Sequence, residues 1–179
     1  GQVHPNIQFL VNDILMTLEN LHPIFIPVNK HGRQSSAYFK NIENAFESDA
    51  QILNFPAGLC SRKIKGEIID LEWKKSFITK AVKYKRDIVP AFITGRNSNF
   101  FYNLSNIRGW LGIKTNLEMF YLVDEVFKQK DRKITVNFGK PIPYQTFDKS
   151  LNAKEWAQKV KNYVYTLPIS NQTPFKIVK

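Results

Sequence analysis

The chain has little of several residue types, and each shortage excludes a class of protein. Its 179 residues contain a single cysteine, Cys60, so no internal disulfide can form. No apolar run approaches the roughly 18 residues of a membrane-spanning helix, and no secretory signal is visible. Acidic residues are scarce: 15 Asp and Glu stand against 26 Lys and Arg, a formal net charge of +11. This surplus favours a polyanionic partner, namely nucleic acid, an anionic membrane or a phosphate-bearing small molecule.

Candidate acid–base and metal-binding residues are also few. The three histidines lack metal-ligand spacing with one another and with Cys60, so no metal site is expected. Cationic neighbours are expected to lower the pKa of the Cys60 thiol, but no partner base accompanies it, and it is a weak candidate nucleophile. Asp124 and Glu125 lie in a helical context and are interpreted as a cap or a solvated face.

Segments typical of strands and helices alternate along the chain. Apolar runs predict strands at residues 23–29, 51–55, 87–93 and 132–139. Apolar residues at helical spacing predict helices over 38–46, over 69–84 and after a capping box formed by Asn152 and Glu155. Because the connections are short, this order predicts an α/β fold with a mixed, mostly parallel sheet flanked by helices.

The stretch ILNFPAGLCSRKIKG, residues 52–66, follows a predicted strand and carries three cations within four positions. Ligands of α/β sheets gather at the carboxyl ends of strands. Gly58 and Ser61 could offer backbone N–H groups to an anion, and Arg62 and Lys63 could offer charge. The alternative is a solvated connection from a strand to a helix. The spacing of a P-loop is absent.

An aromatic-rich segment with basic neighbours covers residues 88–112. Arg96 lies just past a predicted strand, and Phe100 to Trp110 hold several large apolar side chains. This composition is typical of an interfacial helix on a membrane, or of ordinary core packing. Stacking on single-stranded nucleic acid is a third interpretation, but no nucleic-acid motif accompanies it, and no nucleic-acid partner is expected.

Several of these motifs together resemble a known family. The motifs FPAGLCSRK, PIFIPVNKHG and IVPAFI are similar to three motifs of the bacterial glycerolipid acyltransferases, the superfamily of the 1-acyl-glycerol-3-phosphate acyltransferases. The branch that the sequence resembles is the one labelled hemolysin in Bacteroidetes-type bacteria. FLVNDILM, GRNSNFFYNL and VNFGKPIP extend the resemblance over nearly the whole chain.

The resemblance implies a set of substrate-binding residues. Phe55, Pro56, Gly58 and Ser61 match an FPEG-type motif that holds the headgroup of the acceptor. Ala57, Leu59 and Cys60 depart from that motif, and Arg62 is expected to take over the anion contact. Lys63, Lys30 and Arg96 complete the set. Because of these departures, an amino-acid-containing lyso-lipid is an alternative to a phosphate-bearing acceptor.

The resemblance also implies the reaction and its setting. These enzymes move a fatty acyl group from acyl-CoA or acyl carrier protein to a lyso-lipid hydroxyl, without a cofactor or metal. A peripheral location on the anionic cytoplasmic face of the bacterial inner membrane is expected.

The family's catalytic motif is His-x4-Asp, and no His-x4-Asp occurs in this sequence. Residues 1–167 are therefore expected to be the C-terminal part of an acyltransferase domain that is inactive by itself, and residues 168–179 an irregular tail. A non-catalytic basic membrane- or lipid-binding module is the alternative.

Overall fold

A parallel sheet forms one end of the computed structural model, which describes residues 5–11, 15–16, 18–27, 36–169 and 173–175. Strand β1 (Ile7–Val11) lies in the centre, between β2 (Phe25–Pro27) and β3 (Gln51–Leu53). Phe9 is opposite Phe25 on one side and opposite Leu53 on the other. Parallel strands of one sheet require crossover connections, and helix α1 (Ser36–Glu47) forms the one that leads from β2, on one side of β1, to β3 on the other.

Helix α1 covers this sheet with its apolar face. Ile42, Ala45 and Phe46 are buried and pack with Ile26 of β2. Arg86 donates hydrogen bonds to the carbonyl of Phe46, in the last turn of α1, and to that of Ala50, just past its end. The last carbonyls of a helix have no donor within the helix, and Arg86 supplies one here. The same bonds attach α1 to the second half of the fold.

The second core lies between helices α2 (Ser76–Lys83) and α5 (Ala153–Thr166) and an antiparallel pair of strands, β6 (Ala91–Ile93) and β7 (Val136–Phe138). Trp156 is almost fully buried at its centre and meets the Phe147 ring edge-on. Gly139 follows β7 at a point where the backbone passes close to two side chains. A Cβ there would lie 2.9 Å from both Leu167 and Pro90. The predicted capping box is confirmed: Asn152 accepts from the backbone of Glu155, and Glu155 accepts from the backbone of Asn152.

The basic stretch does not connect a strand to a helix, contrary to that interpretation. Arg62–Ile64 forms β4, which pairs antiparallel with β5 (Glu67–Ile69). Lys65 and Gly66 join the two strands with φ angles of 49° and 90°, as a two-residue hairpin turn requires. The helix predicted over 69–84 therefore begins only at Ser76, because Ile69 is used in the hairpin.

Three further helical elements lie between β6 and β7. They are helix α3 (Asn99–Trp110), a short 3-10 helix (Leu117–Tyr121) and helix α4 (Leu122–Phe127). Two more 3-10 helices precede β2 and follow β7, at Glu19–Ile24 and Tyr144–Thr146. The prediction of an α/β fold is confirmed. Parallel pairing is found in the three-stranded sheet, whereas β4–β5 and β6–β7 are antiparallel. Among the described residues, no helix is both long enough and apolar enough to cross a bilayer.

Candidate functional site

The predicted headgroup loop, residues 55–61, begins directly after β3. Its first residues form a tight turn, in which the Gly58 N–H donates to the Phe55 carbonyl over 2.9 Å and Gly58 adopts a φ of 67°. A side chain would be strained at that angle, which explains the glycine. Pro56 accepts a hydrogen bond from the Lys74 backbone, while the Phe55 side chain is exposed. The loop is thus a fixed turn with one apolar side chain at the surface.

Ser61 fastens the end of this loop to the far side of the hairpin. Its hydroxyl donates to Asp70 Oδ1 over 2.6 Å, and the other oxygen of Asp70 accepts from the Trp73 indole over 3.0 Å. The Asp70 backbone is itself held, because its N–H donates to Tyr165 and its carbonyl accepts from Lys161. In this arrangement, the Ser61 hydroxyl positions the loop.

Arg62 lies almost entirely inside the protein, in an ionic cluster with Glu118 and Arg108. Its Nη2 lies 2.8 Å from Glu118 Oε1, and its Nη1 donates to the Cys60 carbonyl over 2.9 Å. Arg108 Nε lies 3.0 Å from the second oxygen of Glu118. The side-chain exposures are 8% for Arg62, 14% for Arg108 and 0% for Glu118. The cluster therefore joins the headgroup loop to α3 and to the segment that follows it.

Of the other predicted cations, the structure describes Lys63 and Arg96. Lys63 is half-buried on β4, and its carbonyl accepts from the Asn106 side chain of α3 over 3.2 Å. Arg96 is exposed and donates to Asn99 at the start of α3 over 2.6 Å. The side chain of Asn97 reaches the Cys60 thiol, so the loop that precedes β4 and the loop that carries Arg96 are in contact. Lys30 lies outside the described residues.

The expected lowering of the Cys60 pKa is wrong, and its standing as a weak candidate nucleophile falls further. Burial raises the pKa of the Cys60 thiol above its ordinary value and outweighs the opposing effect of Arg62. A thiol that stays protonated is a poor nucleophile. The charge of Arg62 is directed at Glu118 instead, a partner 56 positions away along the chain.

Residues 117–127, the outer segment, have their polarity reversed relative to an ordinary surface helix. Glu118 and Glu125 are buried, whereas Phe120, Val126 and Phe127 are about 70% exposed. Glu125 accepts from the Ser98 hydroxyl over 2.7 Å and from Lys128 over 2.7 Å, and it also accepts from the Ser98 backbone. The interpretation of Glu125 as a cap or part of a solvated face is wrong. Its side chain is buried, and its carboxylate binds Ser98 at the start of α3.

Glu118 was not singled out by the sequence interpretation. The signal lay in the spacing: Glu118 and Glu125 are seven residues apart and share one face, and Phe120 and Phe127 share another. Such a pattern shows which residues lie together. It does not show that the acidic face is the one that turns inward.

The aromatic segment divides between core and surface. Phe101 and Tyr102 are buried, but Ile107, Leu111 and Trp110 are exposed, the last at 85%. The Phe100 ring stands edge-on to Tyr121 of the outer segment at 5.1 Å between centroids. Core packing therefore describes Phe101 and Tyr102, whereas the interfacial helix on a membrane stays a prediction for the exposed residues.

Taken together, the molecule is an α/β domain in which a fixed basic loop is tied by a buried ionic cluster to a largely apolar surface. No group of three or more His, Cys, Asp or Glu side chains suited to a metal ion occurs in its described part. The family model described as Acyltransferase matches residues 3–173, and the chain belongs to that family. The predicted membership of the acyltransferase superfamily is confirmed.

Two curated relatives carry the same name. The Lyso-glycine lipid O-acyltransferase of Bacteroides thetaiotaomicron is 54% identical over 161 residues, which cover 90% of this chain and 59% of the relative. The Lyso-glycine lipid O-acyltransferase of Phocaeicola vulgatus is 54% identical over 162 residues, 90% of this chain and 58% of that relative. The chain thus spans less than two thirds of the length of these relatives. No solved structure matches it significantly.

Proposed function

We propose that this chain is the acceptor-binding part of an O-acyltransferase of bacterial membrane lipid synthesis. The enzyme moves a fatty acyl group from acyl-CoA or acyl carrier protein to the hydroxyl of a lyso-lipid. The observation that carries the proposal is the 54% identity to two proteins named Lyso-glycine lipid O-acyltransferase. Their name also favours a glycine-containing acceptor over one with a phosphate headgroup.

The reaction requires a general base and a held acceptor. The base removes the proton of the acceptor hydroxyl, the oxygen attacks the thioester carbonyl, and the thiol leaves with the proton. Without a His-x4-Asp in residues 1–179, we assign the base to no residue of this chain. The task of this chain is to hold the acceptor. Loop 55–61, together with Arg62 and Lys63, binds the acceptor headgroup, and Lys30 and Arg96 assist.

The same proposal places the enzyme on the cytoplasmic face of the inner membrane, as a peripheral protein. The formal charge of +11 supports attraction to anionic lipid. Trp110, Leu111, Phe120 and Phe127 supply exposed apolar side chains that could enter the headgroup region. Lys128, whose ammonium lies 6.0 Å from the centre of the Phe100 ring, adds positive charge at the edge of this surface.

The test is an acyl-transfer assay on the complete gene product and, separately, on residues 1–179. Labelled acyl-CoA and acyl carrier protein serve as donors, with lyso-glycine lipid and lysophosphatidate as acceptors. The complete protein is expected to acylate lyso-glycine lipid, and residues 1–179 are expected to show no turnover. No transfer from either donor to either lipid would refute the enzyme.

The second candidate is a basic lipid-binding module without catalysis, which the absence of His-x4-Asp from this sequence favours. Sedimentation with phosphatidylglycerol or phosphatidylcholine vesicles tests the membrane part of both candidates. Both predict preference for the anionic vesicles. Only the enzyme predicts label in a diacylated product, so binding without product selects the module.

A further inference from the structure

The cluster of Arg62, Glu118 and Arg108 buries more positive than negative charge. Two guanidinium groups share one carboxylate, at 2.8 Å and 3.0 Å, and Glu118 is completely buried. The formal charge of the three groups is +1. Carbonyls of Cys60 and Ile113 accept hydrogen bonds from the guanidiniums, at 2.9 Å and 2.7 Å, but they leave this net charge unchanged.

An excess charge in a poorly hydrated place is unfavourable unless a counter-charge is near. The described residues provide one carboxylate to the cluster, and that carboxylate is already shared. No hydrogen bond joins Nε of Arg62 or Nη2 of Arg108 to another described residue. The cluster can therefore receive one further negative charge from a ligand.

The position of the cluster suggests which ligand this is. Arg62 directly follows the loop that we propose as the headgroup site, and the present inference rests on that proposed function. Glycine that is joined to a lipid through its nitrogen presents one carboxylate, with a charge of −1. A phosphate monoester carries about −1.5 to −2 near neutral pH. The net charge of the cluster matches the first headgroup.

We propose that Glu118 determines the acceptor specificity by neutralising one of the two arginines. With Glu118 in place, the cluster balances a monoanionic carboxylate headgroup and disfavours a phosphate monoester. Without it, the two guanidiniums form a doubly charged site of the kind that phosphate prefers. Glu118 acts through Arg62 and Arg108 and is a positioning residue, which does not touch the substrate.

The test compares the complete protein with its Glu118→Gln variant in the acyl-transfer assay. The measured quantity is the ratio of kcat/KM for lyso-glycine lipid to kcat/KM for lysophosphatidate. Glu118→Gln raises the cluster charge to +2, and the ratio is expected to fall by about tenfold, a typical consequence of one nearby charge. Glu125→Gln is the matched control: it removes an equally buried carboxylate seven residues away that is bonded to Ser98 and Lys128 instead.

A charge-balance rescue separates specificity from a general loss of packing. The double variant Glu118→Gln with Arg108→Gln returns the cluster to +1, and we expect it to recover the wild-type preference. Damage to the fold alone would not restore the ratio in this way. Glu118→Asp, which keeps the charge, is expected to keep the preference as well.

Each outcome is informative. An unchanged ratio in an active Glu118→Gln protein, or an equal change in Glu125→Gln, would overturn this inference and leave the proposed function intact. Absence of transfer by the wild-type protein to either lipid would overturn both.

Should Glu118→Gln fail to fold, Arg108→Gln decides, because it lowers the cluster charge from +1 to 0 and leaves Glu118 paired with Arg62. Inhibition by N-dodecanoylglycine is expected to weaken by about tenfold, and unchanged inhibition contradicts the assignment.

Discussion

Replacement of Arg62 by methionine tests how much the buried ionic cluster contributes to stability. Methionine keeps most of the aliphatic volume and removes the guanidinium. Removal of one partner of a buried ion pair costs about 3–5 kcal/mol when it leaves the other charge uncompensated. In Arg62→Met, Glu118 keeps Arg108 at 3.0 Å and no charge is left unpaired, so the expected cost is that of a hydrogen bond to a charged group, about 1.5–3 kcal/mol. A loss of about 2 kcal/mol corresponds to a fall in Tm of roughly 4–8 °C for a chain of this size.

Urea unfolding, followed by tryptophan fluorescence, measures this loss as a shift of the midpoint at constant slope. Lys63→Met is the control: it removes a cation from the neighbouring position of β4, which takes no part in the cluster. It is expected to change stability by less than about 0.5 kcal/mol. If Arg62→Met unfolds at the wild-type midpoint, the buried ion pair does not form as described, and the reasoning built on it fails.

The same variant separates the two roles of Arg62. At temperatures where Arg62→Met remains folded, its KM for the acceptor is expected to rise, because the headgroup loses its nearest buried cation. A wild-type KM together with the lowered Tm would make Arg62 purely structural and would leave Lys63 and Arg96 as the headgroup contacts.

Further predictions concern four other positions. Phe127→Ser should weaken binding to phosphatidylglycerol vesicles by about tenfold, since burial of a phenylalanine contributes roughly 1.5–3 kcal/mol. Ile169→Ser, at an even more exposed site outside the outer segment, should not weaken it. Burial acts to raise the pKa of Glu125, but hydrogen bonds from Lys128 and Ser98 outweigh it and lower this pKa below 4.5. Its stabilising contribution is therefore complete above that pH and is lost as the pH falls through the lowered pKa. The difference in urea midpoint between wild type and Glu125→Gln should accordingly shrink from pH 7 to pH 3. Cys60 should react with iodoacetamide at pH 8 more slowly than free cysteine does, since burial raises its pKa; equal rates would contradict that burial. Gly139→Ala should lower the Tm by several degrees, because its Cβ would lie 2.9 Å from Leu167 and Pro90.

The features that were predictable from the sequence depend on short-range interactions. Asn152 and Glu155 cap a helix three residues apart, and hydrogen bonds within one turn determine that arrangement whatever the rest of the fold does. The apolar positions of α1 and α5 recur at 3.6-residue spacing, so their buried faces follow from the order of residues alone. The α/β class was predictable from the sequence as well, and so was the family, through motifs such as FPAGLCSRK.

The hairpin of β4 and β5 marks the first limit of this local information. Ile69 fits the apolar face of a helix and the register of a strand equally well, since a single apolar residue satisfies both periodicities. Its pairing with Arg62 decided between them, and that pairing placed Arg62 on a strand instead of in an open loop.

The polarity of the outer segment and the partner of Arg62 were decided by the tertiary structure. A run of charged and apolar residues does not reveal which of its faces turns inward, because that depends on the groups that the inner face meets. Here the inner face meets Arg62 and Arg108, whose buried guanidiniums would be left without a counter-charge if an apolar side chain took the place of Glu118. By itself, the sequence determined the family, the helices and the basic loop. Only packing between residues 56 positions apart decided that the loop's central cation lies inside the protein, bonded to a carboxylate.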